Sequence, residues 1–151
     1  MPNRPRIMVA DGSKYFALST WQMLIPEDEF DFVGLANSTA EALEMARLLG
    51  PEIILVDISH SETGGFQTVR DLSAVRPEAA IVVVGLAVTT AVDRVARQAG
   101  ASACLDKSEL AEKLPGVLSC LAKKYSTYSI SSRPNQYSLQ WTGVRTDVSS
   151  H

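Results

Sequence analysis

Apolar and polar positions alternate in blocks along the chain. Short β-branched runs fall at residues 7–10, 32–36, 53–57 and 81–84, with a weaker one at 103–105, and each is followed by helical spacing. The clearest helix sets Ala42, Met45, Ala46 and Leu49 on one face; Ser38-Thr39-Ala40-Glu41 opens it in capping-box spacing and Gly50-Pro51 stops it. Another opens at Thr90-Ala91-Val92-Asp93, aligns Val92, Val95, Ala96 and Ala99, and ends at Gly100. The last carries Leu114, Val117, Leu118 and Leu121 on one stripe and contains Pro115, which the pattern puts in the first turn or at a kink. Strand then helix, repeated along the chain, predicts an α/β fold: a doubly wound five-stranded parallel sheet with helices on both faces. Strands buried on both sides explain why the runs are continuously apolar.

Composition narrows this further. The 151 residues, 46% of them hydrophobic, suffice for one core, and the pattern divides the chain into a domain at 1–124 and a tail at 125–151. Of the 27 tail residues 10 are Ser or Thr, with no sustained apolar period, which predicts a mobile segment; Tyr128, Tyr137 and Trp141 leave docking open. Cys104 and Cys120 have no metal-ligand spacing, and the first residues lack the apolar stretch of a signal peptide, so a cytoplasmic setting is expected. The longest apolar run, 79–88, is about half a bilayer span, so no membrane partner is expected. A net charge of -3 gives no general attraction to nucleic acid, and 27 aperiodic residues are too few for a helix-turn-helix module; direct DNA binding is not expected.

The third run, Ile53-Ile54-Leu55-Val56-Asp57, ends on an acid. Ligands of doubly wound sheets bind beyond the carboxyl ends of the strands, where the strand order reverses. Asp11 follows the first strand, Asp57 ends the third and Lys107 follows the fifth. In the flavodoxin-like order 2-1-3-4-5 the first and third strands are neighbours, which would bring Asp11 and Asp57 together. Two close carboxylates repel and imply a cation, and a few hard oxygens suit Mg²⁺ with phosphate oxygens completing its shell. The Lys107 ammonium would then be a second positive charge for a phosphoryl group.

Met8-Val9-Ala10-Asp11, Ile54-Leu55-Val56-Asp57, Gly65 eight residues past that acid, and Ala99-Gly100-Ala101 leading to Asp106-Lys107 together resemble the receiver domain of bacterial two-component response regulators. The likeness covers about residues 5–123 and is nearest to receivers that precede a helix-turn-helix domain. It implies that Asp57 is the phosphoacceptor in a phosphorelay, Asp11 a direct Mg²⁺ ligand, the Ser59 backbone carbonyl a third metal ligand beside Asp57, and Lys107 the partner of the phosphoryl oxygens. The phosphoryl donor would be a sensor histidine kinase, a phosphotransfer protein or a small acyl phosphate. Output would go to an unidentified downstream protein through a changed surface on the fourth and fifth helices. A homodimer would use the fourth helix, opened by Thr90, with the fifth strand and the fifth helix. Such a domain is a signalling module, with no enzymatic activity beyond its own phosphorylation and dephosphorylation.

The departures from the family pattern are specific. Receivers carry two adjacent acids after the first strand, and here the first position is Ala10, so Mg²⁺ binding is expected to be weak. Fifteen residues before Gly100, where the family has a switch Ser or Thr, stands Gly85. The aromatic that moves with that hydroxyl is replaced by Cys104, and the usual proline after the acceptor by Ser61. Thr89 and Thr90 lie too far along the loop to substitute.

Each residue alone has an ordinary reading. Asp57 would be a strand-ending acid capping a loop, Asp11 a turn residue, Lys107 a solvated side chain, His60 an exposed loop residue and Cys104 a small buried hydrophobe. Gly85 fits either close helix packing or loss of switching. Three functional readings follow: a stand-alone receiver with attenuated switching; a phosphorylation-independent pseudo-receiver that binds proteins; and an FMN-binding flavodoxin relative. The last is disfavoured because Asp11 would stand where the flavin phosphate binds.

Overall fold

The computed structural model describes residues 4–10, 19–20, 22, 30–59 and 65–132. In chain order these form β1 (Arg6–Ala10), β2 (Asp31–Ala36), α1 (Thr39–Leu49), β3 (Ile53–Asp57), α2 (Phe66–Val75), β4 (Ala80–Gly85), α3 (Thr90–Ala99), β5 (Ala103–Asp106), a 3-10 turn (Lys107–Glu109) and α4 (Leu110–Ser132). A helix expected between the first two strands falls mostly on residues outside this description, so the helix opened by Thr90 is α3 here. The strands make one parallel sheet in the order β2-β1-β3-β4-β5, as the sequence predicts.

Side chains on a strand alternate between faces, and the core divides accordingly. Ile7, Val9, Ile53, Leu55, Val82 and Val84 meet Leu110, Leu114 and Leu118 of α4 on one face. Met8, Ala10, Ile54, Val56, Ile81 and Val83 meet Ala42 and Ala46 of α1, Val69 and Leu72 of α2, and Ala96 and Ala99 of α3 on the other. Full burial of one such aliphatic side chain is worth about 1.5–3 kcal/mol, so both layers contribute to holding the sheet between its helices.

Helix ends follow the sequence with one variation. Ser38 Oγ accepts from Glu41 N at 3.1 Å, but Glu41 Oε1 reaches back to Asn37 N at 2.7 Å rather than to the cap residue. Gly50 closes α1 in the left-handed conformation at φ 56°, where a side chain would be strained. Thr89, not Thr90, caps α3, its Oγ1 accepting from Val92 N at 3.2 Å.

Two expectations are corrected. Val95 is 38% exposed and lies off the buried face of α3, where Ala96 and Ala99 meet the sheet. Pro115 lies inside α4, since Leu110 starts the helix directly from the 3-10 turn; its missing N–H removes one bond to the carbonyl four residues back. The helix itself runs to Ser132. Residues 125–132 contain neither Gly nor Pro, and the next proline after Pro115 is Pro134.

At the opposite edge from the strand ends, Arg6 and Glu52 are both 4% exposed. Arg6 Nη2 pairs with Glu52 Oε2 at 2.8 Å, Nε with Oε1 at 3.2 Å, and Nη1 donates to Leu49 O at 3.1 Å. This fork ties the start of β1 to the α1–β3 connection, and periodicity alone gave no sign of it.

Candidate functional site

The carboxyl ends of three strands stand side by side. Asp57, last in β3, pairs in register with Val84, and Gly85, last in β4, pairs with Asp106, last in β5. Ala10 ends β1 opposite Val56 and is fully buried. Asp11, next in the chain, and His60 and Ser61 lie outside the described residues.

Asp57 has no exposed surface. The ladder runs one bond past it, Ile58 N donating to Val84 O at 2.9 Å, and then the chain turns. In that turn Ser59 N donates to Asp57 Oδ1 at 2.9 Å and Ser59 Oγ donates to the same oxygen. The Lys107 ammonium meets Asp57 Oδ2 as an ion pair at 3.0 Å and donates to Ser59 Oγ at 3.2 Å. Directed hydrogen bonds thus collect on Oδ1, while the contact at Oδ2 is chiefly electrostatic.

The magnitudes show what this pair is for. Opposite charges about 4 Å apart near a surface attract by about 4 kcal/mol at an effective dielectric of about 20. Burying an ion costs several kcal/mol in proteins, so such a pair adds little net stability. Lys107 keeps 26% of its side chain exposed while Asp57 keeps none. The result is a fully buried carboxylate with a partly exposed cation beside it, a costly arrangement for a mere loop cap.

Asp106 places Lys107. Its Oδ1 accepts from Ser108 N at 3.0 Å and Ser108 Oγ at 2.8 Å, which opens the 3-10 turn that begins with the lysine. Its Oδ2 accepts from Val88 N at 3.1 Å, in the loop after β4. Hydrogen bonds from the Ser108 amide, the Val88 amide and the Ser108 hydroxyl hold its carboxyl below the usual carboxylate range.

Around Gly85 the packing is ordinary. A Cβ there would stand 3.4 Å from Ile58 Cγ1 and Val88 Cγ2, ordinary to snug contact, and φ is not in the left-handed region. Close packing among the described residues therefore does not require this glycine. Thr89 is committed to its helix cap. Cys104 is half-buried against the α1–α2–α3 face. Burial first, then the neighbouring Asp93 carboxylate, pushes its thiol up, with Arg97 opposing. It is an unreactive packing residue, as its sequence context suggests.

Sequence reasoning missed the Ser59 hydroxyl and amide, having assigned only its carbonyl. The signal was present, since an Asp often hydrogen-bonds the backbone two residues on. It also missed Asp106 as the residue that sets the lysine. Among the described residues no three His, Cys, Asp or Glu side chains cluster as metal ligands. No described helix is long and apolar enough to cross a membrane.

The response regulator receiver domain profile matches residues 7–119. Response regulator GacA of Pseudomonas viridiflava is 29% identical over 113 residues, covering 74% of this chain and 53% of the relative. A protein-glutamate methylesterase/protein-glutamine glutaminase of Paramagnetospirillum magneticum is 30% identical over 131 residues, covering 76% of this chain and 37% of the relative. This chain thus spans about half the length, or less, of these curated relatives. Among solved structures, a two-component response regulator of the LuxR family from Aurantimonas sp. SI85-9A1 superposes with TM-score 0.70 at 24% identity, covering 80% of this chain and 87% of that one. With its sheet order, its buried strand-end acid and this match over most of its length, the chain belongs to the response regulator receiver domain family.

Proposed function

We propose that Asp57 accepts a phosphoryl group and that the chain is a receiver in a cytoplasmic two-component phosphorelay, with weakened switching. The observation that supports this most is the fully buried Asp57 carboxylate with the Lys107 ammonium 3.0 Å from Oδ2. In the step proposed, an Asp57 carboxylate oxygen attacks phosphorus and the P–N bond of a phosphohistidine breaks. Its electron pair stays on the imidazole nitrogen, leaving an aspartyl phosphate. Lys107 moves its charge from the carboxylate to the phosphoryl oxygens, which lessens the repulsion between two anions. Ser59 must release Oδ1, or donate to the new oxygens instead. The donor is a sensor histidine kinase or phosphotransfer protein.

The donor set fits Mg²⁺, because Asp57 and Ser59 offer only hard oxygens. Asp57, the Ser59 carbonyl and Asp11 would hold the ion, which would supply positive charge opposite the lysine. With Ala10 in place of a further acid, weak binding is expected.

Gly85 and Ala10 support a second reading, a pseudo-receiver that binds partners irrespective of phosphorylation. The two are separated by incubation with Mg²⁺ and phosphoramidate or acetyl phosphate, followed by intact mass. Addition of one phosphoryl group, absent in Asp57→Asn, supports acceptance; no addition supports the pseudo-receiver.

A further inference from the structure

Gly85 offers no hydroxyl, but among the described residues Asp106 makes a polar connection between the lysine and the loop that starts α3. Both carboxylate oxygens are engaged, and in opposite directions: Oδ1 holds the turn that begins with Lys107, and Oδ2 holds the Val88 amide. Val88 immediately precedes Thr89, the cap of α3. In the sheet, Asp106 is also the register partner of Gly85. A single side chain therefore spans from the lysine's backbone to the loop that a switch hydroxyl would otherwise control.

We propose that Asp106 is the positioning residue that transmits the state of the Asp57–Lys107 pair to residues 86–92. The proposal rests on the phosphoacceptor reading above. When the ammonium follows a phosphoryl group away from Asp57, the lysine's backbone shifts and strains the turn that Asp106 caps. The rigid carboxylate passes that displacement from Oδ1 to Oδ2, and so to Val88 N and the first turn of α3. A ligand shifts such an equilibrium only by its different interaction with the two states. Here the difference is carried by the Val88 bond, which is formed at 3.1 Å in the unmodified state and need not survive in the other. Exposed Leu86 lies on the segment that would move.

The test is amide-resolved hydrogen exchange of the full chain, with and without Mg²⁺ and trifluoroberyllate as a stable phosphoryl mimic. In the wild type, amides at 57–59 register loading, and those at 86–92 change by about fivefold, the low end of ordinary coupling between sites. Asp106→Asn keeps one acceptor for the turn and presents either an amide donor or a lost cap to the rest. It retains the change at 57–59 and shrinks that at 86–92 to under about twofold, a loss of most of the coupling. Asp106→Ala, which removes both contacts without a new donor, behaves alike.

A purely structural role would raise exchange at 86–92 equally in loaded and unloaded protein. The loading ratio would then be unchanged in both variants, and the proposal overturned. Loading at 57–59 without a response at 86–92 in the wild type also overturns it, while leaving the phosphoacceptor reading intact. Loss of loading in both variants makes Asp106 a support of the site itself and overturns it too. If the wild type neither loads nor accepts phosphate, the functional reading falls and takes the proposal with it.

Discussion

Gly65 lies directly against Ile58: a Cβ at position 65 would stand 2.4 Å from Ile58 Cγ2 and 3.0 Å from Ile58 Cα. The second of these atoms is backbone, and it belongs to the residue that follows Asp57. The start of α2 is therefore packed onto the turn that presents the acid, and only glycine allows that approach. Gly65→Ala is expected to destabilise the fold by about 1–3 kcal/mol, the usual penalty of overpacking. Denaturant unfolding measures it. A change within experimental error would mean that the turn after Asp57 is freer to move than this contact implies.

Removing the lysine charge leaves the buried Asp57 carboxylate without that counter-charge. Lys107→Met is expected to cost about 1–3 kcal/mol, less than the loss of a partner from a fully buried pair, because the lysine is partly exposed and Ser59 still donates to the carboxylate. Adding Asp57→Asn to Lys107→Met should recover most of that loss, since no unpaired charge then remains. A double-mutant cycle with no coupling between the two positions would contradict the ion pair's role.

Gly85 has room for a small side chain, with Ile58 Cγ1 and Val88 Cγ2 each 3.4 Å from a Cβ placed there. Gly85→Ser is expected to change stability by less than about 1 kcal/mol. By restoring a hydroxyl at the end of β4 it should enlarge the response of residues 86–106 to trifluoroberyllate. The comparison is the amide chemical-shift change in wild type and variant. An equally large response in both would refute attenuated switching.

The sheet and the meeting of Asp57 with Lys107 were legible because both depend on strand pattern and strand order. Runs such as Ile53-Ile54-Leu55-Val56 specify buried parallel strands, and the order then puts residues 57 and 107 at the same edge. What was not legible depends on how loops fold back. The Arg6–Glu52 fork joins residues 46 apart, and either residue alone reads as surface charge. Val95 matches the helical period but lies off the buried face. Asp106 reads as a strand-end polar residue until the Val88 amide is seen beside it.

Asp106 also gives the site a pH dependence. Its carboxyl titrates below the ordinary value of 3.8 in the folded chain, so the folded state binds its proton less readily than the unfolded one. The stability it contributes is complete above that ordinary value and is lost as pH falls through the lower folded one. Asp106→Asn should therefore flatten the acid limb of a plot of stability against pH between the lowered folded value and the ordinary one, where only the unfolded-state carboxyl is substantially protonated. An acid limb identical in wild type and variant would show that these hydrogen bonds do not favour the ionised form.

The central claim is that Asp57 is a phosphoacceptor, and intact mass after incubation with Mg²⁺ and phosphoramidate addresses it most directly. The wild-type chain should gain one phosphoryl group, labile to hydroxylamine as an acyl phosphate is, and Asp57→Asn should gain none. Absence of any gain in the wild type, or a gain that persists in Asp57→Asn, would contradict the account.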